Sequence, residues 1–186
     1  MLSGKDSPTQ LRTERLVLRR WRDTDRGPFA VLNGSPIVME HYPAPLTPAE
    51  SDAFVDRIDA HFDQHGWGLW AVELATSEAF VGYVGLWPAT FDAHFTPAVE
   101  VGWRLGHGYW GHGFAPEAAR AAMTDGFARL GVDEIVSFTA MANVRSQRVM
   151  QKLGVHHDPA EDFDHPAIPE ASPLRRHVLY RQRGRD

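Results

Sequence analysis

Gly106, Gly108, Gly111 and Gly113 crowd the eight residues between a strand-like run and a helix-like one. Before them Val99, Val101 and Trp103 alternate with Glu100, Gly102 and Arg104, the period of two that marks a strand. After them an apolar helical pattern opens near Ala115, with Pro116 close to its first position, where a missing N–H costs nothing. The first amides of a helix lack internal partners and sit at the positive end of its dipole. Glycines let an anion approach that backbone closely. The N–H groups of Gly111, Gly113, Phe114 and Ala115 are therefore expected to face an anion, and a diphosphate suits such a turn.

Several anions fit the residues alone. Gly106-His107-Gly108-Tyr109-Trp110-Gly111 matches GxGxxG, the dinucleotide fingerprint. That reading needs a series of parallel βαβ units, and the roughly seventy residues left have room for one more helix and a few strands. A P-loop needs Gly-Lys-Ser/Thr at its end, which is missing here. A tight strand-to-helix turn with no ligand is the plain alternative. The 10 histidines include His61 and His65, His107 and His112, and His156 and His157, but they form no zinc signature such as HExxH, so no metal is expected.

A resemblance narrows the choice to an acyl-CoA. Trp110-Gly111-His112-Gly113-Phe114-Ala115 resembles the pyrophosphate loop Q/R-x-x-G-x-G/A of the GNAT N-acyltransferase superfamily, with Trp110 in place of Gln or Arg. Its Tyr-Trp-Gly-x-Gly-x-Ala form is typical of the branch resembling ribosomal-protein-alanine N-acetyltransferases. The second motif of that branch is similar to Asn143-Val144-Arg145-Ser146 followed by Arg148-Val149-Met150-Gln151-Lys152-Leu153-Gly154. The opening run Leu11 to Arg19 and the closing run Leu174 to Tyr180 match as well, so the likeness spans about residues 11 to 182.

The resemblance implies an α/β (α+β) GNAT fold: a single mixed, mostly antiparallel, splayed sheet of about seven strands with about four helices. It implies one domain over 1–186, with 1–10 a flexible N-terminal extension. It implies acetyl-CoA as cosubstrate and a primary amine as acceptor, on a protein N-terminus or a small molecule, acetylated by direct attack. An ammonium has no lone pair, so the acceptor must lose a proton, and a base helps. Glu100, on the strand entering the turn, is the candidate base, since related enzymes often place a carboxylate there; a solvated strand glutamate is the plain alternative. Strand parity puts Glu100 on the face of Gly102 and Arg104, opposite Trp103, but leaves open which face meets the acceptor. Ser146 is the candidate acid or hydrogen-bond partner for the departing thiol; it is also simply a polar residue in a first helical turn. Asn143 is expected to bond the pantetheine arm, to cap its helix, or both. The backbone of Trp103, Arg104 and Leu105 is expected to pair with the pantetheine amides as an added strand. The turn from Trp110 through His112 to Ala115 holds the diphosphate in this reading, and Val149 and Lys152 complete the cofactor contacts. Arg104, Arg148 and Lys152 can reach phosphates, or can be ordinary solvated cations. His112 is expected to support the loop, and Tyr109 and Trp110 to pack under it. A non-catalytic acyl-CoA-binding regulatory module is the alternative function.

Composition bounds the rest. The chain has 186 residues, 43% hydrophobic and 23% charged, ordinary for one globular domain able to bury a core. Without cysteine there is no disulfide framework, thiolate site or cysteine nucleophile. A formal charge of -5 argues against a general nucleic-acid partner, and no apolar run is long enough for a membrane span or signal peptide. The expectation is a cytoplasmic monomer or homodimer. Along the chain, a first strand is expected near 14–20 and a short helix capped at Asp23 or Thr24, stopping at Asn33-Gly34. Four prolines keep 35–48 from forming a long helix, and there the resemblance puts His41 and Tyr42 on the acceptor side. Thr47-Pro48-Ala49-Glu50 opens a helix whose stripe of Phe54, Ile58 and Phe62, with Val55, is expected to face mostly inward. Strands are expected over 69–74, 80–86 and 98–105, with 87–97 a loop. The helix after the turn presents Ala119, Ala122, Met123, Phe127 and Leu130 on one face, with Gly126 permitting close approach, and stops at Gly131. A strand over 134–141, a helix capped by Asn143 and ended by Gly154, and strands over 155–163 and 174–183 complete the reading.

Overall fold

The computed structural model describes residues 8–184, and its strands join one nine-stranded sheet. The elements run β1 (Gln10–Arg12), β2 (Leu16–Arg19), α1 (Asp23–Asn33), α2 (Pro48–His65), β3 (Leu69–Leu74), β4 (Phe80–Ala89) and β5 (Ala98–Leu105). A 3-10 turn at His107–Tyr109 leads into α3 (Phe114–Leu130), β6 (Glu134–Ala140) and α4 (Val144–Leu153). Short β7 (His156–His157) and β8 (Phe163–Asp164) precede β9 (Arg176–Arg183). The sheet order is β1-β2-β3-β4-β5-β6-β9-β7, with β8 also on β9, and every pair is antiparallel except β5–β6.

This is the mixed, mostly antiparallel sheet with four helices that the family resemblance implied. The nine strands exceed the expected count of about seven because β1, β7 and β8 are two or three residues long, too short to show a period. The single strand expected over 155–163 is instead β7, a 3-10 turn at Pro159–Glu161 and the start of β8. Pro159 sets that turn's first residue, and the Asp158 side chain caps it. The strand expected near 14–20 is β2, and β1, outside that range, pairs with it as an added hairpin strand. Residues 1–7 of the expected N-terminal extension lie outside the described residues, and Gln10 already belongs to β1. β4 runs three residues past its expected end, taking Trp87, Pro88 and Ala89 from the loop and pairing them with β5.

Local chemistry sets the helix boundaries. Thr47 and Glu50 form the reciprocal capping box, and Pro48 stands at the first position of α2. Gly66 closes α2 in the left-handed conformation. α1 begins one residue before the expected caps: Arg22 is the N-cap, and its backbone N–H donates to Asp25 at 2.8 Å. Buried Arg19 then joins Asp25, by bonds of 2.7 and 2.9 Å, to Glu73 of β3, and so docks the start of α1 on the sheet.

The two sheet faces are now distinct. Tyr83 of β4 meets Phe29 of α1 and Phe54 of α2, with ring centroids 6.0 and 5.8 Å away. Leu86, of opposite parity, packs on α3 at Gly126, where a Cβ would stand 2.4 Å from its Cδ1. Ala118, Ala119 and Ala122 are buried with it, whereas Phe127 and Leu130, expected on that face, are only half-buried. Register carries the assignment to β5. Arg104, Gly102 and Glu100 pair with Tyr83, Gly85 and Trp87 and lie on the α1–α2 face, while Val101, Trp103 and Leu105 lie on the α3 face.

Candidate active site

The site forms where β5 and β6 part. Their parallel register is fixed at Glu100 opposite Val136, and the Ser137 hydroxyl donates to the Val101 carbonyl at 2.9 Å. Past that point no ladder pair joins Gly102–Leu105 to β6. The turn after β5 and the first turns of α3 and α4 border a cavity of about 370 Å³ in this gap, closed on another side by Val38, His41 and Tyr42.

Gly111 and Gly113 have φ of 81° and 80°, left-handed values that cost an L-side chain about 1–2 kcal/mol. Gly113 is the N-cap of α3, and the helix's first bond runs from Glu117 N–H to the Gly113 carbonyl at 3.2 Å. The amides of Gly111, Gly113, Phe114 and Ala115, residues that border the cavity, thus lie ahead of the helix's own bonds as open donors. Trp110 ties the turn down: its indole N–H donates to the Leu105 carbonyl at 2.8 Å. That bond corrects one expectation, since the Leu105 carbonyl is already engaged; Arg104 pairs with Tyr83 and turns its backbone groups toward β4, so the Trp103 backbone and the Leu105 N–H are what face this edge.

All the residues expected to hold the cofactor border this cavity except His112. Its ring stacks on Phe114 at 5.5 Å, the loop-supporting role expected of it. Arg104 borders the cavity, but its guanidinium does not serve the phosphates. It is buried, donates to Asn33 at 2.6 Å and lies over the Tyr42 ring at 4.2 Å. Asn33 in turn donates to Ser51 of α2 at 2.9 Å, so the cation pins the end of α1, the start of α2 and the loop bearing Tyr42. Arg148 and Lys152 remain at the cavity rim as exposed cations.

Asn143 caps α4 as expected. Its side-chain oxygen accepts from the Ser146 N–H at 3.1 Å, and its amide donates to Thr139 at 2.9 Å and to the Ser146 hydroxyl at 3.1 Å. The amide has no donor left for a ligand. Ser146 borders the cavity, and the bond it accepts leaves its own proton free to donate.

Glu100 stands outside the cavity lining, on the α1–α2 face. Its Oε1 lies 3.6 Å from where a Cβ would sit on Gly102, so the missing side chain there leaves room for the carboxyl to lie along β5 toward the gap. Burial pushes its pKa up to about 8. A carboxyl so desolvated is matched to accepting a proton near neutral pH.

Sequence reasoning missed one cross-cavity pair. Arg145 of α4 bonds Glu40 at 2.7 Å and stacks over Trp110 at 4.8 Å, linking three separate segments at the mouth. Burial also lowers the pKa of His41 beside it. No local pattern marks these residues, because the pair spans more than a hundred positions.

An open helix N-terminus beside a gap in a mixed sheet makes a cavity suited to an anionic ligand, and comparison with known proteins says which class of protein this is. Residues 15–156 match the family described as Acetyltransferase (GNAT) domain; the chain belongs to it and is an N-acetyltransferase. The N-acetyltransferase YnaD of Bacillus subtilis (strain 168) is 26% identical over 161 residues, 86% of this chain and 88% of that protein. A solved acetyltransferase from Agrobacterium tumefaciens strain C58 superposes with a TM-score of 0.75 at 25% identity, covering 98% of both chains. RimL, a ribosomal L7/L12 alpha-N-protein acetyltransferase solved with coenzyme A, shares the fold with a TM-score of 0.74 at 14% identity, over 94% of this chain and 97% of that one.

Proposed function

We propose that the cavity takes acetyl-CoA and that a primary amine, on a small molecule or a protein N-terminus, attacks its thioester from the α1–α2 side of β5. The observation that carries this reading is the coincidence of open α3 amides with the gap between β5 and β6 at one cavity. In this arrangement the amides from Gly111 to Ala115 hold the diphosphate. The free edge at Trp103 and the Leu105 N–H takes the pantetheine arm, with Val149 and Lys152 along its other side. The amine lone pair forms the C–N bond, its proton passes to ionised Glu100 directly or through a water, and the C–S bond breaks. The Ser146 hydroxyl, oriented by Asn143, donates a hydrogen bond to the leaving sulfur. One domain spans the chain in this reading, and it acts in the cytoplasm as a monomer or homodimer.

A desolvated carboxyl without a partner favours an enzyme over a binding module, which would have no use for its cost. Thiol release from acetyl-CoA across a panel of α-amines, polyamines and aminoglycosides tests the reading. Turnover on at least one amine is expected. Tight CoA binding with no turnover on any of them would leave the binding module.

A further inference from the structure

The amide-bearing turn is gripped from behind by a hairpin about a hundred residues upstream. Arg15, between β1 and β2, donates from Nη1 to the His112 carbonyl at 2.9 Å and from Nε to Glu117 at 2.7 Å. Its guanidinium lies over the Phe114 ring at 4.8 Å, and its Nη2 is 3.5 Å from where a Cβ on Gly113 would sit. Glu117 also accepts from the Thr13 hydroxyl at 2.6 Å and from the Arg15 backbone N–H at 3.0 Å. Burial works to raise the Glu117 pKa, but these bonds outweigh it and hold the carboxyl below its ordinary value.

Three consequences follow from elementary chemistry. The peptide unit joining His112 to Gly113 is planar and trans, so its C=O and N–H point in opposite directions. A donor fixed on that oxygen therefore aims the Gly113 N–H the other way, toward the cavity that Gly113 borders. The same bond polarises the amide and strengthens its N–H as a donor. Glu117 also sets a carboxylate in the first turn of α3, where an anionic ligand would meet like charge, and the paired guanidinium offsets it.

We propose that Arg15, braced by Glu117 and Thr13, is a positioning residue that aims and polarises the turn's amides for the diphosphate; this rests on the reading that the cavity takes acetyl-CoA. Arg15 touches the turn rather than the reacting atoms, so its effect falls on binding and not on chemistry.

The test uses the full chain, with R15Q and R15K beside the wild type. R15Q is expected to raise the CoA dissociation constant, measured by calorimetry, and KM for acetyl-CoA about tenfold, with kcat within about twofold. R15K keeps the charge, but one ammonium cannot span both His112 and Glu117, so about a threefold rise is expected. With S-acetylpantetheine, which lacks the diphosphate, wild type and R15Q should have the same kcat/KM within about twofold. Equal losses with both donors would reveal a general loosening and overturn the proposal. So would CoA binding unchanged in R15Q and R15K while the wild type binds normally. A wild type that does not bind CoA would instead bring down the reading of the cavity, and the clamp with it.

Discussion

Replacing Glu100 with Gln should change both the pH dependence of stability and the pH dependence of rate. Burial raises the carboxyl to about 8 in the folded protein, against about 4.3 for a free glutamate. Between those values the folded state holds a proton that the unfolded chain has released. Stability then changes by about −1.4 kcal/mol per pH unit for one such group. The sign is the reverse of a salt-bridged carboxylate. This contribution is most favourable below about pH 4.3, is lost as pH rises toward 8, and is spent above it. Taken over the whole interval the loss approaches about 5 kcal/mol, of which about 4 kcal/mol falls between pH 5 and 9. E100Q carries no such group. Urea unfolding of both proteins from pH 5 to 9 should therefore show the wild type losing about 4 kcal/mol relative to E100Q, with the change levelling off past pH 8. In turnover, wild-type kcat/KM should climb through a limb near pH 8 as the base ionises, and E100Q should be slower by about 10²–10⁴ at neutral pH. The stability measurement is independent of the acceptor, whose own α-amine also titrates near 8. Parallel stability curves would show that Glu100 is solvated and refute the argument, and E100Q retaining both rate and limb would remove its role as base.

Two further outcomes separate site from scaffold. S146A should lower kcat with little change in KM or melting temperature, whereas N143A should also lose about 1 kcal/mol of stability with the cap; comparing kinetics and thermal melts of the two checks this. G126A should be less stable by about 1–2 kcal/mol despite alanine's better helix propensity, because its Cβ would meet Leu86 at 2.4 Å; urea midpoints measure it.

Much of this molecule is written in short-range patterns. The Thr47–Glu50 capping box, the Asn143 cap on Ser146, the α2 stripe of Val55, Ile58 and Phe62, and the left-handed glycines of the turn all depend on residues a few positions apart. Such interactions form in any context that lets a helix or turn form, so the sequence determined them, and with them the place of the turn whose amides start α3. The resemblance of two motifs extended that to the family and its cosubstrate.

Tertiary structure decided what distance along the chain conceals. Alternation placed Glu100 opposite Trp103, but only the packing of Tyr83 on Phe29 and Phe54, carried across the β4–β5 register, showed that Glu100 faces α1 and α2. Arg104 reads as an available cation in sequence; burial against Asn33, 71 positions away, makes it a structural pin. Arg145 with Glu40, and Arg15 with Glu117, meet across 105 and 102 positions. A charge's partner is set by where the sheet brings two surfaces together, and no period or cap near the residue encodes that. The turn and its open amides could be found from the order of residues, but the Arg15 contact behind them required the fold.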